Sequence, residues 1–203
     1  MKNHLTAIIA ISISFPVFAQ QTVFYTDPET KFQEAKAYFQ KEQYSLAYPL
    51  LKELKQDLRE TNKANTPVTA QEIEYYSTVC ALKQNEGRAE DAALEFIEVQ
   101  KNNARVQMMH YHLGEFYFRQ EEFANAIRYY EGANIANLSN REIADMKFHQ
   151  GYSYFALQRF NEAKPLFNSI RNIKDDPNYL AANYYYGFLA FRDKQYGEAL
   201  ESF

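Results

Sequence analysis

The chain has 203 residues, of which 46% are hydrophobic and 16% aromatic, and its formal net charge is −4. This composition indicates a folded, helix-rich protein and excludes a disordered chain, while the negative charge argues against a nucleic-acid partner, which would favour a basic surface. Cys80 is the single cysteine, so no intrachain disulfide can form. Because Cys80 stands among apolar residues of a predicted helix, we interpret it as a small buried hydrophobe.

Residues 1–19 predict a secretory signal peptide. Lys2 precedes an apolar run at 5–15, and small residues lead to a cut predicted after Ala19. The run is shorter than the roughly twenty residues that span a membrane, so we do not expect a membrane-spanning protein. No cysteine follows the predicted cut, which argues against a lipid anchor. We therefore expect export to the periplasm, or a secreted or cell-envelope protein, with a flexible lead-in at 20–26.

The predicted fold occupies 27–203, and four of its helices have local start signals. Asp27-Pro28 supplies a capping carboxylate and a proline suited to the first helical position, and Asp176-Pro177 repeats this signal. Thr69–Glu72 and Ser139–Glu142 match the capping box.

One predicted loop and two prolines bear on where the helices are interrupted. An inserted loop is predicted at 61–68, where Asn62, Asn65 and Pro67 interrupt the pattern. Pro49 and Pro165 are placed near the first turn of a helix, where proline is tolerated, so we expect no break at either.

The clearest unit of a repeat lies at 113–133 and predicts two antiparallel helices. Leu113, Gly114 and Tyr117 share a face of the first helix, and Ala126 and Tyr130 keep helical spacing on the second. The short stretch between them allows only a tight connection, so the helices must be neighbours. The small residues at 114 and 126 are expected to let the two backbones approach closely.

Four more copies of the unit accompany it. The small residue near the start of each second helix falls at position 47, 92, 126, 163 and 199, in steps of 45, 34, 37 and 36 residues. Leu-Gly-x-x-Tyr followed by Ala-x-x-x-Phe or Tyr at this step resembles the tetratricopeptide repeat (TPR) over residues 28–203. The second copy matches least well, with Gly87 in a connection one residue longer.

The resemblance implies an all-α, right-handed α-solenoid of about five TPR-like helix pairs, the last incomplete. The repeats would occupy about 28–61, 71–104, 107–140, 144–177 and 180–203. Packing between the helices is assigned to these repeat positions: Gly114, Tyr117, Ala126, Gly151, Tyr154, Ala163, Gly187 and Ala199.

The resemblance also implies a concave groove that holds a peptide and is lined by the first helix of each pair. Tyr111, Glu115 and Phe118 have i, i+4, i+7 spacing on one face of such a helix. Matching residues in the next two copies, together with two flanking arginines, complete the predicted groove: Phe148, Tyr152, Phe155, Tyr184, Phe188, Phe191, Arg119 and Arg192. An alternative stays open, in which some rings only pack one first helix against the next.

No pattern typical of catalysis is present. The sequence lacks a nucleophile elbow, a phosphate-binding loop and a dinucleotide fingerprint, and its many acids are expected to form solvated helix faces. His110 and His112 point apart on a helix and have no further ligand at a suitable spacing, so we expect no metal and no cofactor. His112 and His149 hold matching places in neighbouring copies and could come close. We interpret the chain as no enzyme.

These observations predict a non-catalytic interaction scaffold that binds a peptide or protein segment, resembling exported cell-envelope TPR proteins of Gram-negative bacteria. Those proteins serve outer-membrane assembly, division or secretion. Two alternatives stay open: glycan or peptidoglycan binding through the aromatic groove, and the superhelical part of a longer cell-wall enzyme. In a eukaryotic secretory pathway, Asn137 would open a glycosylation sequon. We also expect further repeats or self-association beyond an apolar end at Tyr196, Leu200 and Phe203.

Overall fold

The computed structural model describes residues 27–61, 70–101 and 103–203. The predicted signal peptide, the lead-in and nearly all of the predicted inserted loop lie outside these ranges. Within them the chain forms ten α-helices and one short 3-10 turn at Ile135–Asn137. The helices are α1 Pro28–Gln40, α2 Tyr44–Thr61, α3 Ala70–Lys83, α4 Ala89–Val99, α5 Asn103–Arg119, α6 Phe123–Gly132, α7 Asn140–Ala156, α8 Phe160–Ile170, α9 Tyr179–Arg192 and α10 Tyr196–Ser202.

The ten helices form five pairs that stack along one axis. Each odd-numbered helix packs against the helix that follows it, and each second helix packs against the first helix of the next pair. Consecutive first helices also touch, α1 with α3, α3 with α5, and α5 with α7. This arrangement is the all-α solenoid of helix pairs that the repeat predicts. None of the helices in the described ranges has the length and apolarity that crossing a bilayer requires.

Every first helix ends in the same turn. A residue with positive φ follows each of them, at Glu42, Asn85, Glu121, Gln158 and Lys194. At the end of α7, Gln158 N–H donates to the carbonyl of Phe155 at 2.9 Å and Arg159 N–H donates to the carbonyl of Tyr154 at 2.8 Å. These are the two hydrogen bonds of a Schellman cap, which usually has glycine at the left-handed position. None of the five positions is a glycine, so the sequence gives no sign of the motif.

The connection in the second pair is two residues longer than the others. α3 ends at Lys83 and α4 begins at Ala89, whereas three residues join the helices of every other pair. The sequence-based prediction of one extra residue was therefore wrong. Arg88, the last residue of this longer connection, also has positive φ, at 65°. When the caps are aligned, Lys83 becomes the counterpart of Arg119 and Arg192, each the last residue of its helix.

The predicted helix starts are confirmed at two places and wrong at a third. Asp27 accepts a hydrogen bond from Thr30 N–H at 3.2 Å, and Ser139 and Glu142 form the predicted capping box. Asp176 does not cap α9, which begins two residues after Pro177. Its Oδ1 instead accepts Asn178 N–H at 2.7 Å, so this carboxylate closes a local turn ahead of the helix. Thr69 lies outside the described ranges.

Two prolines lie inside helices without breaking them, as predicted, although both are further from the helix start than expected. Pro49 is the sixth residue of α2 and Pro165 is the sixth residue of α8. The residues four positions earlier, Ser45 and Asn161, are exposed. Water can therefore replace the missing amide donor, which limits the cost of each proline.

The core consists of two apolar clusters that exchange one residue each. The first cluster is built from α1 to α6 and also takes Met146 from α7. The second is built from α7 to α10 and also takes Ile127 from α6. Because each cluster includes one side chain from the other side of the α6–α7 junction, the apolar interior continues through the stack.

Candidate functional site

The predicted groove residues lie on consecutive first helices, and their environments change along the stack. Residues of α7 and α9 form a ladder of aromatic rings together with Phe118 of α5. Residues of α3 and α5 instead surround a polar pocket near the first pair. We describe these two parts in turn as the aromatic ladder and the polar pocket.

The aromatic ladder consists of Phe118, Tyr152, Phe155, Tyr185 and Phe188. The ring centroids of Phe118 and Tyr152 are 5.9 Å apart, and those of Phe155 and Phe188 are 5.6 Å apart, both in edge-to-face geometry. Phe118, Tyr152 and Phe155 are half-buried, and Phe188 is 44% exposed. The ladder therefore packs the first helices together and still presents ring surface to solvent.

Tyr185 connects the ladder residues of α7, although the sequence analysis assigned the neighbouring Tyr184 to the groove. The Tyr185 ring contacts Phe148, Tyr152 and Phe155, with centroids 5.0–6.3 Å apart. It holds the place that His112 and His149 hold in the preceding pairs, and all three side chains face the preceding first helix. That alignment was the available signal, but the run of three tyrosines at 184–186 obscured it.

The other predicted groove rings divide into packed and exposed ones. Phe148 is half-buried against Phe167 and Tyr185, which agrees with a packing role. Tyr184 and Phe191 are 58% and 60% exposed. Each contacts a residue of its own helix pair, Phe203 or Tyr196.

The two arginines predicted beside the groove also have partners. Arg119 donates from Nη2 to the Leu82 carbonyl at 2.8 Å. Arg192 stacks over the Phe160 ring, with 4.5 Å between its Cζ and the ring centroid, and pairs with Asp193. A ligand contact for any of these residues stays a prediction.

The polar pocket has a volume of about 450 Å³ and is walled by α1, α3, α5 and the start of α7. Tyr111 and Glu115, predicted as groove residues, line it. They are only 4% and 8% exposed, so they lie below the surface on which the ladder rings lie. The structure thus brings Phe118, Tyr152, Phe155 and Phe188 into one row and places Tyr111 and Glu115 apart from it.

Glu115 is a buried carboxylate with two hydrogen-bond partners. Its Oε1 accepts the Tyr130 hydroxyl at 2.7 Å and lies 2.8 Å from His149 Nδ1. Burial alone would raise the pKa of Glu115, but the hydrogen bonds and charge supplied by His149 and Tyr130 outweigh burial and lower it. The carboxylate thereby ties α5 to α6 and α7, and His149 stacks on Phe118 with 4.1 Å between the ring centroids.

His112 is the second buried titratable group of the pocket. Its Nε2 lies 3.1 Å from the Tyr75 hydroxyl, while Nδ1 is buried and has no hydrogen-bond partner among the described residues. Burial, with a further contribution from positive Lys83, lowers the pKa of His112 to about 3. The imidazole is therefore neutral at physiological pH.

Three basic residues approach the pocket, and two of them are engaged. Arg105 binds Glu72 through two nitrogens, at 2.8 and 2.6 Å, and stacks on the Tyr75 ring. Arg141 lies 3.9 Å from Asp145. Lys83 is half-buried, with its Nζ 5.9 Å from the centroid of the Tyr44 ring, and forms no ion pair with a carboxylate of the described ranges. Sequence reasoning missed Lys83 because the longer connection that follows it shifts the register of the second pair.

A larger cavity, of about 560 Å³, lies between the start of α7 and the α8–α9 connection. Three isoleucines line it, at 143, 170 and 173, and no predicted groove residue does. It is separate from the ladder and shares Arg141 with the polar pocket.

The residues predicted to pack the repeats are all buried, and the glycines among them face side chains rather than backbone. A Cβ built on Gly114 would lie 2.5 Å from the Tyr130 ring, and one on Gly151 would lie 3.2 Å from Leu166 Cβ. One on Gly187 would lie 3.0 Å from Ser202 Cβ. The remaining packing residues are 0–7% exposed: Tyr117, Ala126, Tyr154, Ala163 and Ala199.

We next consider a reactive thiol and a metal site among the described residues. Cys80 is fully buried, and burial raises the pKa of its thiol to about 12, so the thiol is protonated. Among the described residues, no three His, Cys, Asp or Glu side chains are arranged to hold a metal ion.

Comparison with solved structures identifies the fold. A mutant of MamA has 17% sequence identity to the chain and a TM-score of 0.62, over 86% of this chain and 92% of that one. A putative kinesin light chain from Podospora anserina, with nearly identical TPR-like repeats, has 16% identity and a TM-score of 0.59, over 87% and 92%. At such low identity the likeness establishes a TPR-like fold. No protein-family model matches the sequence, and a search of curated proteins gives no match.

Proposed function

We propose that this chain is a non-catalytic scaffold that binds a peptide or protein segment on its aromatic ladder, and that it works as an exported component of the cell envelope. The observation that carries the proposal is the ladder itself. Phe118, Tyr152, Phe155 and Phe188 lie in one row across three consecutive first helices and keep part of their ring surface in contact with solvent. A row of fixed, amphipathic rings gives contact area at a small cost in side-chain entropy.

Two further observations support binding over catalysis. The TPR-like architecture stacks helix pairs so that the first helices form one long surface, which suits an extended ligand. Glu115, the buried carboxylate of the polar pocket, is held in hydrogen bonds by Tyr130 and His149. This carboxylate serves the packing of α5 against α6 and α7.

Export rests on the amino-terminal pattern alone. The apolar run at 5–15 and the small residues before Ala19 have the layout of a cleaved signal peptide. Intact mass measurement of the protein recovered from a fractionated native cell tests this part. A mass that matches cleavage after Ala19, in the periplasmic fraction, is expected; a retained amino terminus in the cytoplasmic fraction would refute export.

Affinity purification from the native envelope tests the binding function. The bait is the wild-type protein beside Tyr152→Ala/Phe188→Ala, with Val99→Ala as the matched control, since Val99 is a 63% exposed apolar residue of α4 outside the ladder. A buried aromatic anchor is worth about 2 kcal/mol or more at an interface, so the double variant should lose its protein partner while the control keeps it. Capture of peptidoglycan in place of protein would replace this function by glycan binding.

Single substitutions at Tyr152 and Phe188 distinguish a role in binding from a role in packing. Tyr152 contacts Phe118, Phe123 and Tyr185, whereas Phe188 contacts, among the rings of the described residues, only Phe155. Tyr152→Ala should therefore lower the melting temperature, and Phe188→Ala should lower partner binding with little change in melting. Equal losses of stability and binding in Phe188→Ala would show that the ladder only packs.

A further inference from the structure

The charged residues that line the polar pocket are arranged by element. The wall of the pocket is built from consecutive first helices, which touch in the order α1, α3, α5 and α7. Lys83 and Arg105 come from the two middle helices, whereas Glu42 comes from the turn after α1 and Glu142 from the start of α7. The two acids therefore flank the pocket at opposite ends of its wall.

Most of the positive charge in the lining is already matched by acids. Arg105 donates two hydrogen bonds, at 2.8 and 2.6 Å, to Glu72, which is not itself a lining residue. Arg141 Nε lies 3.9 Å from Asp145 Oδ2. The ammonium of Lys83 is thus the one positive charge of the lining without an ion pair inside the described ranges.

Three carboxylates face the ammonium of Lys83, those of Glu115, Glu42 and Glu142. Glu115 is also paired with His149. Glu42 is exposed, and its side chain has no hydrogen bond or ion pair with another described residue. Glu142 uses Oε2 to cap α7 and leaves Oε1 without a partner in the same ranges. With Glu115 set aside, two carboxylates face one ammonium, so the lining keeps a surplus of negative charge.

The same negative charge acts on two phenols of the lining, Tyr44 and Tyr111. Burial raises the pKa of Tyr44 to about 12, and Glu42 and Glu142 raise it further. Burial likewise raises the pKa of Tyr111, with Glu115 and then Glu142 as the next causes. A field that disfavours a phenolate favours a cation at the same place.

A buried imidazole gives an independent indication of a ligand. His112 lines the pocket and is only 6% exposed, yet its Nδ1 forms no hydrogen bond with any residue that the structure describes. Buried polar atoms in proteins normally have a partner. Because its pKa is lowered to about 3, chiefly by burial, the imidazole is neutral at physiological pH and does not repel a cation. The pocket therefore lacks a polar partner on this wall.

A guanidinium already bound at the wall shows which cation suits these surroundings. Arg105 binds Glu72 through two nitrogens and stacks on the Tyr75 ring, with its Cζ 4.3 Å from the ring centroid. A planar guanidinium combines hydrogen bonds to carboxylates with stacking on an aromatic face, which an ammonium does less well. Glu42 and Glu142 offer carboxylate oxygens of the same kind, in a lining rich in tyrosine.

We propose that the polar pocket binds an arginine side chain of the segment that the aromatic ladder holds, with Glu42 and Glu142 as its carboxylate partners. The inference rests on the proposed function, since it names the chemistry of that segment. Phe118 of the ladder lies one helical turn beyond Glu115 of the pocket on α5, so the two sites adjoin. One extended segment can therefore place apolar residues on the ladder and an arginine in the pocket.

Selection from a random library of displayed peptides tests the proposal without a known ligand. The targets are the wild-type protein, Glu42→Gln/Glu142→Gln and Glu98→Gln, the last a control at an exposed glutamate of α4 that does not line the pocket. Glutamine keeps the shape of glutamate, and at 142 it keeps the capping box. Wild type and Glu98→Gln should select peptides with an arginine at a fixed distance from apolar residues. The double variant should select apolar peptides without the arginine.

A double-mutant cycle on the best selected peptide measures the contact itself. Citrulline in place of arginine removes the charge and keeps the shape of the side chain. A hydrogen-bonded charge pair contributes about tenfold in affinity, so citrulline should weaken binding to wild type about tenfold and leave binding to Glu42→Gln/Glu142→Gln unchanged. A lysine peptide should bind wild type more weakly than the arginine peptide, because an ammonium cannot bind a carboxylate through two nitrogens. Circular dichroism melting of each variant confirms that it is folded.

The outcomes separate this inference from the function on which it rests. Peptides that bind the ladder but show no arginine preference, or an arginine preference that survives Glu42→Gln/Glu142→Gln, would overturn the role of the pocket alone. Equal affinities of the lysine and arginine peptides for wild type would overturn the assignment of a guanidinium. Failure of every target to select a peptide would overturn peptide binding, and the role of the pocket with it.

Discussion

Gly114 and His112, two residues apart on α5, show how closely single positions in the third pair are determined. Gly114 lies against the ring of Tyr130, whose hydroxyl donates to Glu115, so one aromatic side chain fills the space above the glycine and holds a buried charge. His112 lies on the other side of the helix, with one nitrogen near the Tyr75 hydroxyl and the other without a hydrogen bond to any residue that the structure describes. Both positions lead to predictions about stability.

We expect Gly114→Ala to destabilise the protein by about 1–3 kcal/mol, because a Cβ at 2.5 Å from the Tyr130 ring must displace the ring or the helix. Urea unfolding followed by circular dichroism measures the change. Gly197→Ala is the matched control, since no atom of the described ranges lies within 4 Å of its added Cβ and alanine is preferred over glycine in a helix by about 0.5–1 kcal/mol. Identical unfolding midpoints for the two variants would rule out the tight contact.

His112 makes stability depend on pH. Its pKa is about 3 in the folded protein and 6.5 ordinarily, so between these values the unfolded chain binds a proton that the folded protein does not. Stability is therefore retained above pH 6.5 and falls as the pH decreases below it, by about 2 kcal/mol at pH 5. Unfolding free energies at pH 5 and 7.5 should differ less in His112→Gln than in wild type. An unchanged difference would contradict the assignment.

The cap that recurs at the end of each first helix is the local structure that the sequence did not predict. Helical spacing predicted the pairs, and the caps at Asp27 and Ser139 agreed with their signals. The left-handed residues carried no glycine, so the turn geometry and the true length of the second connection stayed hidden. That length decides the register of α3, which is why Lys83 was missed. The spacing between repeats does not show at which residue a helix ends, whereas the position of the cap does.

Replacing a left-handed residue by glycine should strengthen a cap. Gln158 has φ 60°, a conformation that costs a residue with a Cβ about 1 kcal/mol or more. We expect Gln158→Gly to raise the free energy of unfolding by about 0.5–1 kcal/mol. Gln158→Ala removes the same side chain and keeps the Cβ, so it should bring no gain. A stabilised alanine variant would show that the side chain, and not the backbone, is the cause.

The whole molecule is a stack whose two apolar clusters are joined by exchanged side chains. Ile127 of α6 belongs to the second cluster and Met146 of α7 to the first. The solenoid could be predicted because each pair repeats one pattern. The division of its inner surface into a polar pocket and an aromatic ladder could not, because it depends on which residues of neighbouring pairs meet, as Tyr185 meets Phe148, Tyr152 and Phe155.

We expect Ile127→Ala with Met146→Ala to uncouple the two clusters, since stability in a stack is a sum of pair and interface contributions. Hydrogen exchange resolved by segment should then show α7–α10 opening separately from α1–α6. Leu51→Ala is the control, because Leu51 is fully buried within the first cluster and its loss lowers stability without dividing the molecule. A single cooperative opening in the double variant would contradict this role of the exchange.

Because Cys80 is buried, the rate at which its thiol reacts measures local opening of the protein. A thiol-specific reagent attacks only a thiolate that it can reach, and this side chain is fully buried with its pKa raised to about 12. The labelling rate in native buffer therefore counts how often α3 separates from its neighbours. Local opening of α3 can thus be followed at one native sulfur atom, without a mutation.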